Sequence, residues 1–102
     1  MRWLARRLSH QPANPVPHRP LRIRMYTRAG CHLCDEAWGM LVEFRRQYGF
    51  ELDTADVDTD SDLTARYGDW VPVVAVNGKD RFRGRINRAL FVRLLAAELR
   101  RR

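Results

Sequence analysis

Two cysteines separated by two residues, Cys31-His32-Leu33-Cys34, fall where one hydrophobic period gives way to another. Before them, Leu21, Ile23 and Met25 alternate with Arg22, Arg24 and Tyr26, the two-residue period of a half-buried strand. Thr27-Arg28-Ala29-Gly30 breaks that alternation. From Cys31 or His32, a helical spacing runs to about Tyr48, with Leu33, Ala37, Met40, Leu41 and Phe44 on one face and Gly49 as the C-cap candidate. Two thiols at this spacing reach each other only if the first turn is helical. The pair therefore demands a strand, a tight turn and a helix start in that order.

The remaining periodicity fills in the fold. Phe50–Val57 reads as a second strand. Asp58-Thr59-Asp60-Ser61 supplies N-cap candidates for a short helix ending at Tyr67 and stopped by Gly68. Val71–Val76 reads as a buried strand, and Asn77-Gly78 as a two-residue hairpin that returns Lys79–Arg83 antiparallel. Gly84 ends that strand. Asn87 caps a last helix with Leu90, Phe91, Leu94, Leu95 and Leu99 facing inward. The predicted order is βαβαββα.

A chain of 102 residues with 45% apolar and 30% charged residues has material for one globular core. Residues 1–20 hold four of the five prolines and no acid, so they are expected to form a basic tail, with the domain occupying 21–102. The tail lacks the apolar centre of a secretory signal, and no apolar run in the chain is long enough to span a bilayer. The net charge of +7 invites a nucleic-acid reading, but its distribution argues otherwise. Residues 1–24 carry six Arg and no acid, residues 25–80 carry eleven acids against five cations, and residues 81–102 carry eight Arg against Glu98. The middle is acidic, and the closing arginines suit a helix C-terminus.

The chemistry centres on the two thiols. A helix start offers free backbone N–H groups and a positive dipole end, and Arg28 adds a cation three residues earlier. Such surroundings lower a thiol pKa from about 8.5 toward roughly 3.5–7.5, which makes Cys31 the nucleophile. Cys34, one turn inside, is the resolving thiol. His32, between them, is either a tuning cation or a solvated spacer. Two blander readings stand beside this one. One takes the pair as half of a zinc site completed by His10, His18 or His32, although no second C-x-x-C exists. The other takes it as an idle structural disulfide.

Val71-Pro72 is the second notable feature, since a proline opening a buried strand removes a ladder donor. In cis it turns the Val71 backbone outward, where an extended substrate can pair with it; in trans it is an edge-strand proline. The run Ile23–Cys34, with Trp70-Val71-Pro72-Val73 and the Asn77-Gly78 hairpin, resembles the glutaredoxins and their small bacterial glutaredoxin-like relatives over about residues 21–99. The resemblance implies an α/β thioredoxin-like fold: a four-stranded mixed sheet of order 2-1-3-4 with three helices on its faces. It also implies thiol–disulfide oxidoreductase activity. On that resemblance Cys31 is the nucleophile, Cys34 the resolving cysteine, and Pro72 the cis-proline. Arg28 stands where a lysine meets the glycyl carboxylate of glutathione. Tyr26 is the aromatic at the strand's end, and Val71 is the residue whose backbone pairs with the cysteinyl part. The chain departs from the pattern in two places. His-Leu separates the cysteines where Pro-Tyr is usual, and Arg83-Gly84-Arg85-Ile86-Asn87 replaces a Gly-Gly followed by an acid. Gly84 keeps a backbone approach, while Arg83 or Arg85 offers a cation for a carboxylate.

The resulting expectation is a cytoplasmic, monomeric dithiol oxidoreductase needing no bound cofactor. It reduces protein or glutathione mixed disulfides, with glutathione as candidate co-substrate and no specific nucleic-acid partner. Two alternatives are a non-catalytic module that binds through its basic ends and an iron–sulfur cluster carrier. Trp38, Trp70 and Phe82 are read as packing or rim aromatics, and Asp53–Asp62 as a solvated strand edge and helix cap.

Overall fold

A computed structural model describes residues 20–101. The expected tail therefore lies, save for Pro20, outside the described residues. The elements run β1 (Arg22–Thr27), α1 (His32–Tyr48), β2 (Glu51–Asp56), a 3-10 turn (Val57–Thr59), α2 (Ser61–Tyr67), β3 (Val73–Val76), β4 (Lys79–Arg83) and α3 (Arg88–Arg100). The strands form one sheet in the order β2-β1-β3-β4. β1 pairs parallel with β2, while β1/β3 and β3/β4 are antiparallel. Sheet order and element order both match the sequence expectation.

The alternation in β1 is what makes the sheet two-sided. Leu21, Ile23 and Met25 are buried and join Val74 and Val76 of β3, Ala37, Leu41 and Phe44 of α1, and Phe91, Leu94 and Leu95 of α3 in the main core. Burying each of these larger side chains contributes about 1.5–3 kcal/mol before chain entropy is charged against it. Phe91 centres the aromatic packing, with ring centroids 5.4 Å from Phe44 and 5.6 Å from Phe82. On the other face, Val57, Tyr67 and Val73 form a smaller core against which Tyr26, Leu63 and Val71 pack. α1 and α3 thus cover one face of the sheet and α2 the other.

Local chemistry sets the boundaries. Gly49 takes φ +78 and donates its N–H to the Arg45 carbonyl, closing α1 in the left-handed conformation that glycine adopts most cheaply. Asn77 (φ +52) and Gly78 (φ +84) make the β3–β4 turn with both residues at positive φ, as a type I′ hairpin requires. Asp60 caps α2 and Asn87 caps α3, each side chain accepting from backbone N–H groups of the first turn. Across the hairpin Val74 faces Phe82 while Ala75 faces Asp80, so Arg81 is the extra residue of a bulge.

Three expectations need correction. β3 starts at Val73 rather than Val71, because Pro72 has no N–H to give the ladder. Phe50 and Val57 are buried but flank β2 instead of belonging to it. Leu90 and Leu99 do not face inward; they are 50% and 37% exposed, since the inward stripe of α3 is filled by Phe91, Leu94 and Leu95.

Candidate active site

β1 ends at Thr27, and Gly30 (φ +75) turns the chain into α1. Cys31 is the N-cap residue, with extended φ −100 and ψ 106. Its Sγ accepts a hydrogen bond from the Cys34 N–H at 3.1 Å, and its carbonyl accepts from the Asp35 N–H at 3.1 Å. A cysteine thus occupies the place where serine or aspartate usually satisfies an orphan donor. Cys31 and Cys34 are joined as a disulfide, with Cα atoms 5.1 Å apart. The two sulfurs differ in access: Cys31 is half-buried at the surface, whereas Cys34 is 1% exposed and packs into the main core. Cys34 takes the place on the buried stripe of α1 that the sequence spacing gave to Leu33, which is only partly covered. His32 opens α1 and is exposed.

The register brings three segments to one end of the sheet. Tyr26, near the end of β1, faces Val73 at the start of β3, and Val73 faces Arg83 at the end of β4. The loop carrying Cys31, the Val71-Pro72 pair and the Gly84-Arg85 turn therefore share that end. The Val71–Pro72 peptide bond is cis, and the Pro72 ring is buried. Gly84 (φ +70) donates its N–H to the Pro72 carbonyl at 2.8 Å, tying β4's exit to the residues before β3. Val71 lies outside the ladder and packs between the two cores.

Arg28 is engaged in a way the sequence did not suggest. Its Nε and Nη2 donate to the two carboxylate oxygens of Asp58 at 3.2 and 2.6 Å, and its Nη1 donates to the Gly68 carbonyl at 2.7 Å. Hydrogen bonding to Arg28 holds the Asp58 carboxyl below its usual range. The Arg28 charge is compensated there, so it does not act on Cys31 as a free cation. Gly68 makes the arrangement fit, because a Cβ on it would lie 2.6 Å from the Thr64 carbonyl oxygen and 3.3 Å from Arg28 Nη1.

Tyr26 faces the smaller core, with its ring stacked on Tyr67 at 4.2 Å and an interplanar angle of 23°. The Tyr67 hydroxyl donates to Asp80 at 3.0 Å. Burial, and then the hydrogen bond to Asp80, push the Tyr67 phenol up to about 12. On the opposite side of the site, Arg85 reaches Glu36, in the second position after Cys34 along α1, at 2.9 Å between two exposed side chains. Trp70 stands at the rim, 53% exposed, with the Arg83 guanidinium 5.2 Å from its ring centroid. Trp38 and Phe82 pack partly buried against the main core.

The structure thus joins Cys31 with Cys34 and Pro72 with Gly84, and it leaves Arg28, Tyr26 and Arg85 each held by partners of their own. Asp58 and Tyr67 read in the sequence only as part of a capping run and as a helix end, and nothing in the sequence singled out Asp80 or Glu36. Among the described residues, no three His, Cys, Asp or Glu side chains converge as metal ligands; His10 and His18 lie outside the described residues.

The profile of the glutaredoxin-like domain (DUF836) matches residues 22–100. The chain belongs to this family. Solved structures of other proteins share its shape. The solution structure of protein Ne2328 from Nitrosomonas europaea superposes with a TM-score of 0.66 at 28% identity, covering 76% of this chain and 93% of that one. The X-ray structure of XcR50 from X. campestris gives 0.62 at 27% identity, covering 74% and 96%. Fasciola hepatica thioredoxin superposes with a TM-score of 0.58 at 17% identity, covering 76% and 80%, which establishes the thioredoxin fold alone. Among curated sequences, the uncharacterized proteins Rv0508 of Mycobacterium tuberculosis and Mb0520 of Mycobacterium bovis are 34% identical over 64 residues, or 58% of this chain. The chain spans 66% of the length of these relatives. A glutaredoxin-like thioredoxin fold carrying a close C-x-x-C pair is the equipment of a disulfide oxidoreductase. Among the described residues, no helix is long and apolar enough to cross a membrane.

Proposed function

We propose that this glutaredoxin-like protein reduces disulfides by dithiol exchange, with Cys31 as nucleophile and Cys34 as resolving thiol. One observation carries the division of roles: Cys31 Sγ caps α1 and accepts a backbone N–H at the surface, while Cys34 is buried one turn further in. In the reduced protein the same N–H and the dipole of the helix start favour a thiolate on Cys31. That thiolate attacks one sulfur of a substrate disulfide, forming a mixed disulfide and expelling the other substrate sulfur as a thiolate, which takes up a proton. Cys34 then loses its proton and attacks the Cys31 sulfur. The second substrate thiolate leaves and is protonated, and the Cys31–Cys34 disulfide remains. Two electrons pass from the dithiol to the substrate.

Val71 supports substrate docking, since it stands outside the ladder beside the buried Pro72 and can offer backbone groups to an extended chain. The reading carries no bound cofactor. A protein dithiol or two molecules of glutathione return the electrons, with glutathione the candidate co-substrate. The working form is a monomer in the cytoplasm, where thiols are kept reduced. The test is a pair of serine variants. Cys31→Ser abolishes reduction of a model mixed disulfide, and Cys34→Ser accumulates the covalent complex with substrate. At neutral pH iodoacetamide labels reduced Cys31 much faster than Cys34. Equal labelling, or full activity in Cys31→Ser, refutes the assignment.

A further inference from the structure

Trp70 is a large aromatic side chain at this end of the sheet that belongs to neither core. It is half exposed, and it immediately precedes Val71-Pro72. The guanidinium lying over its ring belongs to Arg83, which immediately precedes Gly84. Gly84 in turn donates to the Pro72 carbonyl, so the aromatic and the cation are brought together by the same junction that holds the cis-proline. On the other side of Trp70, Gly68 is tied by Arg28 to the loop leading into Cys31. The pair is therefore built into the frame around the dithiol.

Arg83 differs from its neighbours in what it binds. Arg28 is paired with Asp58 and Arg85 with Glu36, while among the described residues no carboxylate lies within ion-pair distance of Arg83. A guanidinium over an indole ring keeps N–H groups for a second partner, and a carboxylate fits that fork. Resting on the disulfide-reductase reading, we infer that Trp70 and Arg83 form a subsite for a polypeptide substrate carrying an acidic side chain beside its disulfide cysteine. The indole supplies apolar contact and the guanidinium takes the acid. Glutathione uses this surface poorly, since a tripeptide has little apolar surface to lay on an exposed indole, whereas Trp and Arg are the side chains that anchor protein interfaces. Arg81, exposed on the same strand and likewise without an ion-pair partner among the described residues, adds positive charge that favours an acidic partner.

The experiment is single-turnover reduction by the dithiol protein of two peptide disulfides, identical except for Asp or Lys next to the cysteine, with hydroxyethyl disulfide and the glutathione mixed disulfide as references. Wild type is expected to prefer the Asp peptide. Trp70→Ala lowers the ratio of peptide to hydroxyethyl disulfide rates about tenfold, the equivalent of about 1.4 kcal/mol. Arg83→Ala equalises the two peptides, Arg83→Lys restores part of the preference, and Arg93→Ala, which removes a remote exposed cation, changes neither. Trp70→Phe keeps an aromatic and guards against a folding defect in the alanine variant. If wild type reduces every substrate but the Trp70 and Arg83 variants keep its ratios, the subsite is refuted while the reductase reading stands. If the variants lose rate on the glutathione mixed disulfide alone, the subsite is refuted in favour of glutathione. Wild type inactive on every disulfide overturns the reductase reading and the subsite with it.

Discussion

Arg28, after the central strand β1, and Arg85, after the edge strand β4, lie at the dithiol end of the sheet and are held in opposite ways. On the β2 side, Arg28 spends a two-pronged contact on Asp58 and a third N–H on the Gly68 carbonyl. On the β4 side, Arg85 makes a single contact with Glu36 between two exposed side chains, an arrangement worth about 0.2–1 kcal/mol. The first is a strut that fixes the approach to Cys31. The second exchanges readily with solvent or with an incoming carboxylate. A cation near a reactive thiol is therefore not automatically a cation for the substrate: the β2 side uses its charge internally, and the β4 side presents it.

The contrast can be broken at the strut first. Gly68→Ala places a methyl group 2.6 Å from the Thr64 backbone carbonyl oxygen, which cannot give way cheaply, and crowds the Arg28 guanidinium beside it. Urea unfolding is expected to report a loss of about 1–3 kcal/mol. Next comes Tyr67→Phe, which removes the donor to Asp80 on the same α2 side and is expected to cost about 1 kcal/mol. Because the folded phenol is raised from 10.0 to about 12, the stability linked to it is complete below pH 10 and declines as pH rises between those values. The Tyr67→Phe variant lacks that part of the alkaline decline.

Acid probes the strut directly. The folded Asp58 carboxyl titrates below its ordinary value of 3.8, so its contribution is complete above that pH and is lost as pH falls through the lower folded value. Asp58→Asn flattens the thermal midpoint against pH in that acid range, and a profile parallel to wild type would show that Arg28 is not held there in solution. The smallest effect belongs to the other side. Arg85→Ala changes unfolding stability by less than about 0.5 kcal/mol. A loss comparable to that of Gly68→Ala would erase the distinction between the two flanks.

Much of the fold was legible because its signals are local. The alternation of Leu21, Ile23 and Met25, the Asn77-Gly78 turn and the Asn87 cap each act within a few residues, and the C-x-x-C spacing is itself a statement about one helical turn. What escaped were choices between distant partners. Nothing in the run Asp53–Asp62 says that Asp53 will meet Arg24 or that Asp58 will meet Arg28, about thirty residues away, because every acid in that run looks equally solvated. Leu90 and Leu99 fit a helical stripe by spacing, but the face of α3 that packs on the core is narrower and buries Phe91, Leu94 and Leu95. Cys34 as a core residue was readable from its place one turn after the cap; that it and not Leu33 would stand on the buried stripe with Ala37, Leu41 and Phe44 depended on how α1 is turned against the core.

The hydrogen bond from Gly84 to Pro72 has a mechanical consequence. It spans twelve residues of sequence and welds the exit of one strand to the entrance of its neighbour, just where both leave the protection of the ladder. Loose ends at such a place ordinarily fray independently and on their own schedules. Here they open as a single unit with the β3–β4 hairpin, since neither can part from the sheet without stretching the other. The surface around the dithiol is in this sense a frame with one stiff corner, and whatever rests against that corner meets both segments at once.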